Sequence, residues 1–173
     1  MKNKTDLRIY AKEIRKSLDT KSISKKIVDL IRQTDIYKSA KNVMTFYPKQ
    51  YEIDLRELIN DDKSFFLPKI HDNNLLVCPY CNNLKPSTFN TLEPCSDPIN
   101  SDILDLVILP ALMADKNGYR LGYGKGFYDR FLKNCNSKTI VVIASELLVE
   151  TLPYDEFDVP ADFVIHEKGL TLM

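Results

Sequence analysis

Residues 104–132 read LDLVILPALMADKNGYRLGYGKGFYDRFL. The opening run, LDLVILPA, is apolar with little alternation, the pattern of a strand covered on both sheet faces. The closing residues, with Phe127, Phe131 and Leu132 at helical spacing, predict a short helix. Between them lie Gly118, Gly122, Gly124 and Gly126, four of the chain's five glycines. Glycine costs backbone entropy on folding, so such a cluster needs a local steric or conformational reason. A glycine segment after a buried strand and before a helix lies where open α/β sheets bind ligands. Backbone N–H groups, a helix N-terminus, Arg120 and Lys125 together describe an anion cradle, most plausibly for phosphate. The other reading is a tight strand-to-helix connection whose charges are merely solvated. The spacing is neither G-x-x-x-x-G-K-[ST] nor G-x-G-x-x-G, so neither of those phosphate-binding mechanisms applies.

The flanking sequence extends the same architecture. TIVVIAS is a second long apolar strand, DFVIHE a shorter last one, and NVMTFYP a strand stopped by Pro48. SFFLPKI and NNLLVCPY predict two short strands that pair with each other. Leu7, Ala11, Ile14 and Leu18 follow helical spacing, with Lys4, Arg8, Lys12 and Arg15 on other faces. A second helix is expected from about Ser22, through Ile23, Ile27, Leu30 and Ile31. Asp54 with Glu57 resembles a capping box, starting a helix through Leu55, Leu58 and Ile59. Strands alternating with helices imply an α/β fold: a single three-layer domain over residues 1–173, with a mostly parallel central sheet flanked by helices.

Composition narrows the function classes. The chain has 173 residues, 44% of them hydrophobic and 28% charged, and its 24 Lys and Arg balance 24 Asp and Glu. This gives no long-range pull toward nucleic acid or anionic membrane, so an anionic ligand must be held locally. The charged N-terminus lacks a signal-peptide core, and LDLVILPA with its flanks is too short to span a bilayer. A cytoplasmic monomer without nucleic-acid or membrane partners is expected. Cys78 and Cys81 form CPYC, a spacing shared with thiol oxidoreductases and half-zinc sites. The NNLKPSTFN that follows is a poor helix former, and only His71 and Cys95 are near, at irregular spacing. Reduced structural or incidental thiols are the preferred reading.

The stretch LPALMADKNGYRLGYGKGFYDRFL resembles the signature of the 5-formyltetrahydrofolate cyclo-ligase (5,10-methenyltetrahydrofolate synthetase) family. KTDLR, YPKQYEID, FLPKI and FDVPADFVIHE are similar to its other segments, in the same order. The resemblance implies an ATP- and magnesium-dependent conversion of 5-formyltetrahydrofolate into 5,10-methenyltetrahydrofolate, ADP and phosphate. It implies that Lys4, Arg8 and the loop Arg120, Leu121, Gly122, Tyr123, Gly124, Lys125, Gly126, Phe127 and Tyr128 bind ATP. Lys125 and Arg120 would be catalytic, with Lys125 stabilising the γ-phosphate. Tyr123 to Tyr128 would also border the folate, with Tyr47 lining its site and Glu52 accepting from the pterin 2-amino and ring N–H groups. Asp129 and Asp158 match the acidic positions expected to hold Mg²⁺. Position 123 departs from the pattern, since relatives often carry arginine or phenylalanine there. His166 stands where many members have threonine and receives no role. Lys69 is a charge-based guess for the folate glutamyl carboxylate. A kinase or ligase acting on another small molecule through the same ATP loop, a non-catalytic binding module and a thiol-redox module are the competing readings.

Overall fold

Helices here begin where short polar side chains can receive the unpaired N–H groups of a first turn. In the computed structural model, which describes residues 3–89 and 91–172, Asn3 accepts from the Asp6 N–H and opens α1 (Lys4–Ser17). Asp19 accepts from the Ser22 N–H and opens α2 (Thr20–Gln33), and Thr34 does the same for α3 (Asp35–Ser39). The expectation of one unit spans residues 1–173, of which Met1, Lys2, Asn90 and Met173 lie outside the described residues.

The strands of the large sheet are β1 (Asn42–Met44), β2 (Ser64–His71), β3 (Asn74–Pro79), β6 (Leu106–Leu109), β9 (Lys138–Val142), β11 (Phe163–His166) and β12 (Gly169–Leu172). Among the described residues they pair in the order β12-β11-β9-β6-β1-β2-β3. The pairs from β11 across to β2 are parallel, and the two edge strands β12 and β3 are antiparallel hairpin partners. The apolar run around β6 is buried on both sides, as its lack of alternation requires. Leu106 and Ile108 pack with Ile23, Ile27 and Ile31 of α2, whereas Val107 and Leu109 pack with Ala11 of α1 and Leu132. Leu132 belongs to α4 (Phe127–Leu132). Helices therefore cover both faces of a mostly parallel sheet. No helix among the described residues is long and apolar enough to cross a membrane.

Several local expectations are corrected. Asp54 and Glu57 do not form a capping box: residues Arg56–Asn60 make a 3-10 turn with no side-chain cap. Asp54 is instead gripped by Arg56, at 2.6 Å from its NH2, and Glu57 turns to Arg32 of α2 at 2.7 Å. The backbone donor that Asp54 Oδ1 accepts is the nearby Arg56 N–H, at 3.0 Å, and the Asp54 N–H that Glu57 would have received donates to Ser24 Oγ at 2.9 Å. NVMTFYP is a strand only over Asn42–Met44. Two small sheets were not expected. One is the hairpin of β4 (Leu84–Pro86) with β5 (Leu92–Pro94); the other joins β7 (Met113–Asp115), β8 (Arg120–Leu121) and β10 (Leu148–Val149). CPYC opens no helix: Cys78 ends buried in β3, where burial pushes its thiol pKa up, and β4 follows.

The small sheet aims the glycine segment. Fully buried Asp115 accepts from the Asn117 and Tyr119 N–H groups through one oxygen and from the Leu152 N–H through the other. This ties the β7–β8 turn to the loop beyond β10. Gly118 at the turn has φ +82°, and a Cβ there would lie 2.3 Å from the Ala161 carbonyl oxygen. Gly118 is thus required by chain packing and not by a ligand.

Candidate active site

The β8–α4 connection, the end of β1, the β2–β3 hairpin and the β4–β5 hairpin surround one cleft of about 530 Å³. Lys4, Arg8, Tyr47, Glu52, every residue from Arg120 to Tyr128, Asp129 and Asp158 line it. All the residues singled out by the family resemblance are therefore brought together, although they lie as far apart as positions 4 and 158. Lys69 is not among the lining residues. Its neighbours Pro68 and Ile70 are, so strand alternation turns Lys69 to the opposite face. His166 sits at the end of β11, where its Nδ1 accepts from the Lys168 N–H, and it does not line the cleft.

The glycines divide by cause. Gly124 (φ +96°) and Gly126 (φ +65°) occupy conformations that L side chains rarely adopt. A Cβ at Gly124 would sit 3.3 Å from Arg8 Cζ, so that glycine makes room for an arginine. Gly122 alone in the segment has neither a positive φ nor a neighbour within 4 Å of a Cβ. Of the four, it is the one whose surroundings leave room for a ligand to approach the backbone.

Four cations meet the loop differently. Arg8 donates through Nε to the Gly122 carbonyl at 2.9 Å, leaving NH1 and NH2 without partners among the described residues. Arg120 is nearly enclosed: NH1 donates to the Val159 carbonyl at 2.6 Å and NH2 to Asp129 Oδ1 at 2.8 Å. Burial lowers the Arg120 pKa, and Asp129 opposes that effect. Lys4 reaches Asp158 at 2.5 Å and Asp155 at 2.8 Å. Burial works against its charged form, but these two carboxylates raise the Lys4 pKa overall. Lys125 is exposed on the cleft wall, and its ammonium has no hydrogen-bond or ion-pair partner among the described residues.

The cleft wall also carries a buried polar knot. Glu52 accepts from Tyr123 Oη at 2.6 Å through Oε1 and from the Lys49 backbone N–H at 2.8 Å through Oε2. Arg15 lies 3.7 Å from Glu52 Oε1, donates to Tyr123 Oη at 3.3 Å and also donates to the Ala111 carbonyl. Burial, and then the Glu52 charge, raises the Tyr123 pKa, so its phenol stays protonated and donates. Tyr47 Oη accepts from Arg56 NH1 at 3.1 Å. Burial also raises the Tyr128 pKa, and its hydroxyl has no hydrogen-bond partner among the described residues. Sequence reasoning placed Arg15 on an outer helix face, whereas it is buried against Glu52. Its spacing one turn after Ala11 was the available signal, and its charge concealed it. The β4–β5 hairpin was also missed: it supplies Phe89, Thr91, Leu92 and Glu93 to the cleft, with Phe89 edge-on to Phe127 at 5.2 Å.

Two carboxylates could meet a cation. Asp129 uses Oδ1 for Arg120 and the Val159 N–H, and Asp158 uses Oδ2 for Lys4 and the Asp155 N–H. Asp129 Oδ2 and Asp158 Oδ1 accept no hydrogen bond among the described residues. No group of three or more His, Cys, Asp or Glu among those residues is placed to share a metal ion. The donor set therefore fits a hard cation that takes one or two carboxylates and completes its shell elsewhere.

Comparison with known proteins places these residues in context. The family model described as the 5-formyltetrahydrofolate cyclo-ligase family matches residues 1–167. A 5-formyltetrahydrofolate cyclo-ligase of Haemophilus influenzae is 31% identical over 156 residues, covering 80% of this chain and 80% of the relative. The mouse protein of the same name is 28% identical, covering 77% of this chain and 76% of its own. The solved structure of Aquifex aeolicus 5,10-methenyltetrahydrofolate synthetase superposes with a TM-score of 0.87 at 29% identity, covering 98% of this chain and 92% of that one.

Proposed function

The chain belongs to the 5-formyltetrahydrofolate cyclo-ligase family, and we propose that its cleft holds ATP and 5-formyltetrahydrofolate together and yields 5,10-methenyltetrahydrofolate, ADP and phosphate. The N5-formyl group is an amide, with a weakly electrophilic carbon and an oxygen that leaves poorly. Attack of that oxygen on the γ-phosphorus, with cleavage of the bond to the β–γ bridging oxygen, releases ADP and turns the oxygen into a leaving group. N10 then attacks the formyl carbon, loses its proton, and expels phosphate as the five-membered ring closes. Such chemistry depends on alignment and on neutralising phosphate charge more than on covalent help from the protein.

The observation that carries this reading is the unpartnered Lys125 ammonium facing the same cleft as Glu52. Lys125 would meet charge at the transferring phosphoryl group. The free NH1 and NH2 of Arg8 would contact phosphate oxygens, and Lys4 would join them by leaving Asp158. Arg120 acts as a positioning residue that orients Asp129. Asp129 Oδ2 and Asp158 Oδ1 would hold Mg²⁺, which when bound neutralises phosphate charge. Tyr47 and the Tyr123–Tyr128 segment would line the folate, with Glu52 receiving the pterin N–H donors. We further propose that the enzyme works as a cytoplasmic monomer, with residues 1–173 acting as one domain.

The test is a pair of titrations on Glu52→Gln. Folate affinity should fall by roughly ten-fold or more, the cost of one charge-assisted hydrogen bond, while nucleotide affinity stays within about two-fold. Equal losses for both ligands would make Glu52 a structural residue, and an unaltered folate affinity would remove it from the pterin site.

A further inference from the structure

Glu52 cannot receive a pterin as it stands. Its side chain is only 4% exposed, and its two oxygens already accept from Tyr123 Oη at 2.6 Å and from the Lys49 N–H at 2.8 Å. Arg15 approaches at 3.7 Å and bonds Tyr123 as well. A carboxylate can accept more than two hydrogen bonds, but only from donors that can reach it. The Lys49 donor belongs to the local turn around Glu52, whose own N–H donates to the Lys49 carbonyl at 3.0 Å. The Tyr123 donor comes from a different element, 71 residues further along the chain. It is therefore the removable one.

We propose that Tyr123 is a displaceable cap on Glu52: its phenol holds the place of a pterin N–H donor in the free enzyme, and 5-formyltetrahydrofolate takes that place. The proposal rests on the reading of Glu52 as pterin acceptor. The backbone around Tyr123 suits such a movement. It sits between Gly122, whose surroundings are open, and Gly124, whose φ of +96° only glycine adopts freely. The residue is 40% exposed, so packing does not enclose it. On that ring rests the Lys49 ammonium, 4.3 Å from the centroid, which can follow it or turn toward the ligand. The displaced phenol carries consequences for nucleotide binding. The carbonyl of Gly122 is held by Arg8 of α1, and Lys125 follows Tyr123 by two residues, so removing the cap loosens the segment that carries Lys125 and that Arg8 grips.

Tyr123→Phe keeps the ring and deletes only the hydroxyl. Breaking the cap then costs the ligand nothing. The variant should bind 5-formyltetrahydrofolate roughly ten-fold tighter than the wild type by isothermal titration, as removal of one hydrogen bond to a charged group implies. In the absence of ligand it should melt at a lower temperature, because the free state has lost the same bond. Tighter binding with lower free-state stability is a pair of signs that a purely structural role cannot give. In wild-type protein labelled with 3-fluorotyrosine, the resonance missing from Tyr123→Phe should shift when 5-formyltetrahydrofolate is added. With Glu52→Gln weakened as expected, unchanged folate binding by Tyr123→Phe would overturn the cap, and weaker binding would overturn it and make Tyr123 a ligand contact. A Glu52→Gln enzyme with normal folate affinity would overturn the pterin-acceptor reading itself, and the cap with it.

Discussion

Lys125 and Arg120 are both cations of the glycine segment, yet burial gives them different work. Arg120 has its guanidinium committed to Val159 and Asp129, whereas Lys125 is exposed and unpaired among the described residues. Lys125→Ala should therefore lower kcat by roughly a hundred-fold or more while changing 5-formyltetrahydrofolate affinity by less than about three-fold, as loss of a group felt mainly in the transition state does. Steady-state kinetics beside direct titration checks this, and an unchanged kcat would leave the loop with a purely geometric role. The glycines illustrate what a sequence exposes at this scale. Their clustering is visible in the sequence, but the pattern cannot separate a phosphate cradle from tight chain geometry residue by residue. Gly118 answers to Ala161 and Gly124 to Arg8, contacts with residues 43 and 116 positions away that no local pattern contains. Arg15 was misplaced for the same reason, since the carboxylate that draws it inward lies on another element.

At the level of elements, alternation and its absence identified the long strands, because a strand covered on both faces has no polar side to display. The short elements were less legible. β10 joins the β7–β8 hairpin from far along the chain, and the 3-10 turn at Arg56–Asn60 is tied to Arg32 of α2, so local propensity carried little of their signal. Asp61, just beyond that turn, offers a test of such a link. It accepts from Arg32 of α2 at 2.8 Å and from Tyr37 of α3 at 2.7 Å. Burial alone would raise the Asp61 pKa, but the hydrogen bonds from Arg32 and Tyr37 lower it overall. The folded value therefore lies below the unfolded one, near 4 for an ordinary aspartate, so the stabilisation is fully present above about pH 5. It is lost as pH falls through the folded value. Asp61→Asn should cost about 1–2 kcal/mol near neutrality and should show a shallower fall of Tm than the wild type between about pH 5 and pH 2. Melting curves running parallel across that window would mean that the three elements are joined by other contacts.

Across the whole molecule, the fold gathers α1, the end of β1, two hairpins and the β8–α4 connection around one cleft. Its lining includes the Arg8 and Lys125 donors and one oxygen each of Asp129 and Asp158 that are unpaired among the described residues, and Glu52 under Tyr123. Cationic donors and a buried carboxylate in a single cavity are what the proposed reaction between a nucleotide and a folate would use. That reading also predicts that neither partner reacts alone. The direct test is to mix the purified protein with 5-formyltetrahydrofolate and follow the absorbance of the methenyl product while ATP and Mg²⁺ are supplied separately and together. The absorbance should rise only when both are present, with ADP and phosphate formed in equal amounts to the methenyl product. Product without ATP, or none under any of these conditions, would contradict the account.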